Sequence, residues 1–177
     1  MVVRFKDHPE FQPNLTPKEC IQKGIFGGIY FNPRGGKPGI LGTSVQIDHK
    51  EFPKDWFEGL NKSMYCARRY DRNVNKYKVV AGSDQAAWES KGWIHKQDPR
   101  GWFQWYCRFY LGRRTEDDVR QIKRWQGVAG VKGRWKRFLI NKVGDKNVND
   151  YTISPVVRQT LLHWAFELKK GYKKEGE

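Results

Sequence analysis

Residues 102–111 are aromatic or apolar at every position but two, and those two residues are the most capable of chemistry. Gln104 and Arg108 are four positions apart, which puts them on one side of a helix. A buried guanidinium requires a paired acid or a bound anion, and a carboxamide can hydrogen-bond the edge of a base. Together with His95 and Asp98, which precede them, they are the candidate catalytic residues of a pocket for a flat ligand, such as an extruded base.

A purely structural role is the alternative for these side chains. Arg108 would then pair with an acid such as Asp84, Glu89 or Asp117, and Asp98 would only cap a helix. Because paired arginines and helix caps are commoner than ligand sites, the sequence favours this alternative over the pocket.

Basic residues cluster after the aromatic stretch. Between Arg108 and Lys142 there are eleven Lys or Arg residues and three acids, and the acids lie together at a predicted helix start. Cations that project from two neighbouring helices suit contacts with a phosphate backbone, and an ordinary solvated face is the alternative. The connection between the two helices is longer than the tight turn of a helix-turn-helix, so that motif is only weakly indicated. The predicted nucleic-acid-binding residues are Arg113, Arg114, Arg120, Lys123, Arg124, Arg134, Lys136 and Arg137.

Two His–carboxylate pairs, Asp7-His8 with Glu10 and Asp48-His49, are weaker candidates for a general base. Adjacency in sequence does not make two side chains face each other. The four His and three Cys are scattered without the spacing of a metal site, so the sequence predicts no metal and no cofactor. The cysteines form no disulfide framework, which fits a reducing compartment.

The aromatic stretch is predicted to be a buried central helix over 99–112, with Asp98 as its N-cap and Pro99 at its first position. Apolar residues on nearly every side of a helix this short indicate the core of a soluble domain. Cap signals and apolar periodicity predict three helices around it, over 116–128, 133–143 and 155–168.

The first part of the chain is predicted to contain a small β-element. Thr16-Pro17-Lys18-Glu19 is a capping box that starts a short helix. The glycine-rich run from Gly24 to Gly42 then predicts a β-hairpin with a basic tip, and Val45 to Ile47 would form its returning strand. The predicted fold class is therefore mainly α (α+β). The predicted organisation is a single domain over 1–177, with an extended arm over 1–15 and a frayed tail over 169–177.

Overall charge points to a polyanionic partner. The 34 Lys and Arg exceed the 19 Asp and Glu, giving a net charge of +15, and the 26 aromatic residues can fill a core or stack on bases. No signal peptide or window of transmembrane length is found, so an intracellular location, cytoplasmic or nuclear, and no membrane partner are expected.

Several motifs resemble a family of small proteins from fungi, plants, algae and some bacteria. They are WFQWYCRFYLGRR at 102–114, QIKRW at 121–125 and SPVVRQTLLHW at 154–164, with DHPEFQPNLTP at 7–17 and GGIYF at 27–31. The resemblance covers most of the chain and carries no reaction, fold or ligand with it, so function is argued from the residues.

The sequence predicts sequence-tolerant nucleic-acid binding, with DNA as the favoured form, through the basic helical surface and aromatic stacking. The first alternative is an enzyme acting on nucleic acid, of a base-repair or nuclease-like kind, with its pocket beside the central helix. The second alternative is a protein-interaction module that uses the Tyr65–Tyr77 loop and the glycine hairpin.

Overall fold

The aromatic stretch forms the helix around which the other elements pack. The computed structural model describes residues 2–42 and 45–172, and over these ranges the fold is mainly helical, with no β-strand. Within the same ranges no helix is both long and apolar enough to cross a membrane. Short turns of 3-10 helix lie at Phe26–Gly28, His49–Glu51, Lys54–Phe57, Lys62–Met64 and Arg72–Val74. The α-helices are α1 (Pro17–Lys23), α2 (Gln85–Ser90), α3 (Trp102–Tyr110), α4 (Asp118–Ala129), α5 (Arg134–Val143) and α6 (Pro155–His163).

Helix α3 is the predicted central helix, and seven of its nine residues are buried. Its predicted start at Pro99 is wrong, because the helix begins at Trp102 after Gly101, whose φ of +94° favours glycine. Asp98 does not cap it, since arginine side chains bind the Asp98 carboxylate. The orphan N–H of Gln104 donates instead to the Tyr30 hydroxyl at 2.7 Å.

The capping signal predicted for α1 is confirmed. In the capping box of α1, the Glu19 N–H donates to Thr16 Oγ1 at 3.2 Å and the Thr16 N–H donates to Glu19 Oε1 at 3.1 Å. Helix α4 begins at Asp118, two residues after its predicted start, and its N-cap residue Asp117 makes no side-chain capping bond. The Thr115 N–H donates to Asp118 Oδ2 at 2.9 Å, and Asp118 Oδ1 accepts from Trp105 Nε1 at 2.8 Å. Helix α5 begins within one residue of its predicted start and ends at the predicted residue.

Helix α6 ends five residues before the predicted boundary at 168, because the chain turns at Ala165, which has a φ of +59°. The residues after the turn stay buried and meet the N-terminal arm. The N–H groups of Asn14 and Leu15 both donate to the Ala165 carbonyl, at 3.1 and 3.2 Å. The Asn14 carboxamide also bonds the Glu167 backbone at N and O.

The N-terminal arm is therefore part of the fold although it has no regular secondary structure. Phe11 and Leu15 are fully buried, and they belong to the same hydrophobic cluster as α3 and α6. Of the predicted frayed tail over 169–177, residues 173–177 lie outside the described residues.

The predicted β-hairpin is wrong for the residues described. Phe26, Gly27 and Gly28 have φ of +51°, +58° and +83°, so this segment turns instead of extending. It packs too closely against residues 61–76 for side chains, since a Cβ on Gly28 would lie 2.1 Å from the Ser63 carbonyl oxygen. Backbone hydrogen bonds join these two segments, including Ala67 N–H to the Gly28 carbonyl at 2.8 Å. The two surfaces predicted for protein interaction thus contact each other.

Candidate functional site

The predicted catalytic residues Asp98 and Arg108 belong to a network of ion pairs. The Asp98 carboxylate is completely buried, and it accepts two hydrogen bonds from Arg113, at 2.9 and 2.6 Å, and one from Arg108 at 2.9 Å. Arg108 also donates two bonds of 2.7 Å to Glu51, and this pairing raises its pKa. Arg108 is thus paired, as the structural alternative predicted, but with Glu51 and Asp98 instead of Asp84, Glu89 or Asp117. It is not free to hold an anion.

Gln104 and His95 are also engaged by the protein. Gln104 has no exposed surface; its Oε1 accepts from the Arg100 N–H at 2.9 Å and its Nε2 donates to the Gln46 carbonyl at 3.0 Å. His95 is half-buried, and its Nδ1 accepts from the Gln97 N–H at 3.1 Å. The structure therefore does not bring the four predicted catalytic residues together around an open space.

An open space does exist at the N-terminal end of α3. Two adjoining cavities, of about 380 and 490 Å³, share a wall formed by Phe26, Tyr30, Trp88 and Arg100. The larger is lined by the glycine-rich loop near Lys37, and the smaller is bordered by α2, α3, α4, α5 and α6. Both volumes lie within the range of about 300–1,000 Å³ that is usual for ligand sites. We call the two cavities the tryptophan cleft, because the smaller one is lined by Trp88, Trp93, Trp102, Trp135 and Trp164.

The partly open indoles of the protein converge on this cleft. Four of the eight tryptophans, Trp56, Trp102, Trp105 and Trp125, are no more than 5% exposed. The other four are half-buried, and every one of them lines the smaller cavity. A ring that is partly open on one face can stack on a flat ligand. These four residues are Trp88, Trp93, Trp135 and Trp164.

Arg124 brings a positive charge into the cleft without an acid partner among the residues described. Its Nη1 donates to the Trp93 carbonyl at 3.2 Å and to Gln121 Oε1 at 2.9 Å. Its guanidinium lies 5.3 Å from the Trp93 ring and 5.4 Å from the Trp164 ring. Burial, and then the charge of Arg120, lower the pKa of Arg124 to about 10. A bound anion would compensate this charge.

Arg100 provides a second guanidinium at the cleft, and it joins two segments of the cleft wall. It is 4% exposed and donates to the carbonyls of Tyr30, at 3.0 Å, and Gly35, at 3.2 Å, so it fixes the glycine-rich loop to the start of α3. It also reaches Gln85 Oε1 at 3.3 Å, and Gln85 donates to the buried carboxylate of Glu89. Arg100 is therefore satisfied by the protein, unlike Arg124.

His163 is a neutral polar group in the wall of the cleft. The side chain is 5% exposed, and burial lowers its pKa to about 3. Its ring stacks on Phe26 at a centroid distance of 4.0 Å, and its Nε2 accepts from the Phe26 N–H at 3.1 Å.

Only some of the predicted nucleic-acid-binding cations are exposed and unpaired. Arg113, Arg114 and Arg120 pair with Asp98, Asp7 and Asp117 respectively. Lys136, predicted to point outward, is only 7% exposed, because its ammonium lies over the Phe166 and Tyr172 rings at 5.1 and 5.0 Å. Arg124 lies in the cleft. The predicted cations that are exposed and have no carboxylate partner among the described residues are Lys123, Arg134 and Arg137.

Two further cations lie beside tryptophan rings of the cleft, and we call Lys91 and Arg134 the rim cations. Lys91 was not among the predicted residues. The Lys91 ammonium lies 4.7 Å from the Trp93 ring, and the Arg134 guanidinium lies 4.8 Å from the Trp135 ring. A basic residue one or two positions from a tryptophan is the signal that would have pointed to both.

Comparison of the chain with protein-family models, curated proteins and solved structures found no match. Over the described residues, no group of three or more His, Cys, Asp or Glu side chains is arranged to hold a metal ion.

The buried state of His163 predicts acid sensitivity. The unfolded chain binds a proton near the ordinary His pKa of about 6.5, whereas the folded chain excludes it down to about pH 3. Protons therefore favour the unfolded state between these values, and stability falls as the pH falls. We expect a loss of about 2–3 kcal/mol between pH 8 and pH 4.5, measured by urea unfolding.

The matched control is His163→Gln, which removes the titrating imidazole and leaves the carboxylates and the other three histidines in place. The difference in stability between wild type and this variant should shrink as the pH is lowered. A difference that stays constant from pH 8 to pH 4.5 would contradict the buried neutral imidazole.

Proposed function

We propose that this protein binds single-stranded nucleic acid, with DNA as the favoured form, by taking a base into the tryptophan cleft while rim cations contact the adjoining phosphates. The observation that carries the proposal is the convergence of four partly open indoles on one cleft that also holds Arg124. Stacking on indole is available to every base, so such a site tolerates sequence. A cationic groove beside stacking rings is the usual arrangement of proteins that bind single strands.

The charge distribution supports a polymer over an isolated neutral ligand. Lys91 and Arg134 lie on the rings of Trp93 and Trp135, and Lys37 lines the larger cavity. The chain as a whole has a net charge of +15, which attracts a polyanion from a distance. The binding surface proposed is the cleft rather than an outward surface of α4 and α5, because three of the predicted surface arginines are paired with carboxylates.

The proposal places the protein inside the cell, where it would meet nucleic acid. Three free thiols, Cys20, Cys66 and Cys107, are consistent with a reducing compartment.

Trp135→Leu should weaken binding without unfolding the protein. Trp135 is half-buried on α5, so leucine keeps part of its packing and removes the stacking surface. A stacked base is worth about 1–3 kcal/mol, so the affinity should fall about 5- to 150-fold. The measurement is fluorescence anisotropy of a labelled 12-nucleotide single-stranded oligodeoxyadenylate at two or more salt concentrations.

Tyr110→Leu is the matched control, because Tyr110 is an exposed aromatic residue at the end of α3 that lines neither cavity and contacts none of the cleft tryptophans. Its affinity should equal that of wild type. Equal affinities for all three proteins, or affinity that does not change with salt concentration, would count against the proposed function.

A further inference from the structure

His163 has one ring nitrogen committed to the protein. Besides the Phe26 N–H, Gln159 Nε2 lies 3.0 Å from His163 Nε2. The orientation of the Gln159 carboxamide is set by its other bonds, since its Oε1 accepts from the Tyr77 N–H at 3.1 Å and its Nε2 donates to the Gly24 carbonyl at 3.1 Å. Two N–H donors thus face His163 Nε2, so this nitrogen is unprotonated and the ring proton is on Nδ1.

The other ring nitrogen, Nδ1, lies beside a residue that lines the cleft. His163 lines the smaller cavity, Gly82 lines both cavities, and a Cβ added to Gly82 would lie 3.8 Å from Nδ1. No described residue makes a hydrogen bond to Nδ1. Among the described residues, the fully enclosed side-chain nitrogen and oxygen atoms without a partner are Arg113 Nε and Gln121 Nε2, so Nδ1, which also has no partner, is not fully enclosed. A donor in a side chain that is 95% buried is thus left for a ligand.

We infer that His163 is a specificity-determining residue of the cleft, whose Nδ1–H donates to an in-plane acceptor on the edge of the bound base. The inference rests on the proposed function. The stacking of His163 on Phe26 fixes the plane of the imidazole, and the N–H bond lies in that plane. A ring nitrogen or carbonyl oxygen is therefore accepted at this position, whereas an N–H on the ligand edge would face another donor and is rejected.

A single donor is compatible with sequence tolerance, because every nucleobase has at least one edge acceptor. The contact would fix the orientation of the base, while the indoles supply affinity. A neutral hydrogen bond of this kind is worth about 0.5–1.5 kcal/mol, which corresponds to a change in affinity of about 2- to 12-fold.

The test uses oligodeoxyadenylates in which one ring nitrogen of each base is replaced by C–H, in 1-deaza, 3-deaza and 7-deaza forms. Each replacement removes one acceptor and keeps the flat ring. With wild-type protein, one of the three should bind about 2- to 12-fold more weakly than the parent oligomer. Equal affinity for all four oligomers would overturn the inference.

Two variants of His163 assign the effect to Nδ1. In His163→Gln the longer carboxamide reaches the position of Nε2, so it can accept from the Phe26 N–H but leaves the cleft without its donor. In His163→Asn the shorter carboxamide reaches the position of Nδ1 and can donate to the cleft. We expect His163→Gln to bind parent and deaza oligomers equally and His163→Asn to regain part of the preference.

Retention of the wild-type preference by His163→Gln would overturn the inference. If a variant does not fold, the deaza series with wild-type protein still decides the matter. Binding that is weakened by Trp135→Leu but indifferent to every deaza replacement would reject the role of His163 and leave the proposed function standing. Absence of binding to any oligomer would reject both.

Discussion

Replacing Asp98 by asparagine is expected to lower the free energy of unfolding by about 3 kcal/mol. The carboxylate is completely buried between Arg108 and Arg113, and asparagine keeps its shape but removes its charge. Loss of one partner from a buried ion pair usually costs about 3–5 kcal/mol, and the lower end applies because both arginines keep some exposure. Equilibrium unfolding in urea measures the change.

Glu51→Gln is the matched control, because Glu51 binds the same Arg108 from an exposed position. An exposed ion pair is worth at most about 1 kcal/mol, so this variant should be close to wild type in stability. Equal losses in the free energy of unfolding for both variants would contradict the account, because the buried Asp98 carboxylate would then stabilise the protein no more than the exposed Glu51 carboxylate does.

Phe11→Ala is expected to destabilise the protein by about 3–5 kcal/mol. Phe11 comes from the irregular N-terminal arm, yet its ring is fully buried. It makes edge or tilted contacts, with centroids 5.1–6.2 Å apart, with Trp102, Trp105, Tyr106, Phe109 and Trp125. Its removal would leave a cavity at the centre of the aromatic core. Thermal and urea unfolding would both report the loss.

Phe138→Ala provides the comparison, since Phe138 is 40% exposed on α5 and its truncation should cost less than about 1 kcal/mol. A Phe11→Ala protein as stable as the Phe138→Ala protein would show that the arm does not belong to the core.

Local sequence signals predicted the elements that depend on local physics. The capping box at Thr16 and Glu19 and the course of α5 follow from residues that are close in sequence. The central helix was identified because residues apolar on nearly every side require burial.

The same local rules failed where a distant partner competes for a side chain. Asp98 precedes a proline in a sequence typical of a helix start, but Arg108 and Arg113 bind its carboxylate more strongly than helix N–H groups would. Lys136 was assigned to the outward face of α5, but Phe166 and Tyr172 cover it from beyond the end of α6. The glycine-rich run is typical of a hairpin, but its glycines permit turns and close contact with residues 61–76.

The candidate site was the least accessible to sequence reasoning. Arg108 was singled out because it interrupts an apolar helix, and it proved to be paired. Arg124 lies on a helix face rich in cations, so nothing in its neighbourhood indicates that it would lie in a cleft without an acid partner. The four partly open indoles of the cleft come from α2, the segment after α2, α5 and the end of α6. Only the packing of the helices brings them together.

The most direct test of the account follows the indole N–H signals of the eight tryptophans by heteronuclear NMR while a single-stranded oligonucleotide is added. We predict that the signals of Trp88, Trp93, Trp135 and Trp164 shift on binding, whereas those of the core residues Trp56 and Trp105 remain in place. Binding that shifts only backbone amides on the exposed faces of α4 and α5, with all indole signals unchanged, would contradict it.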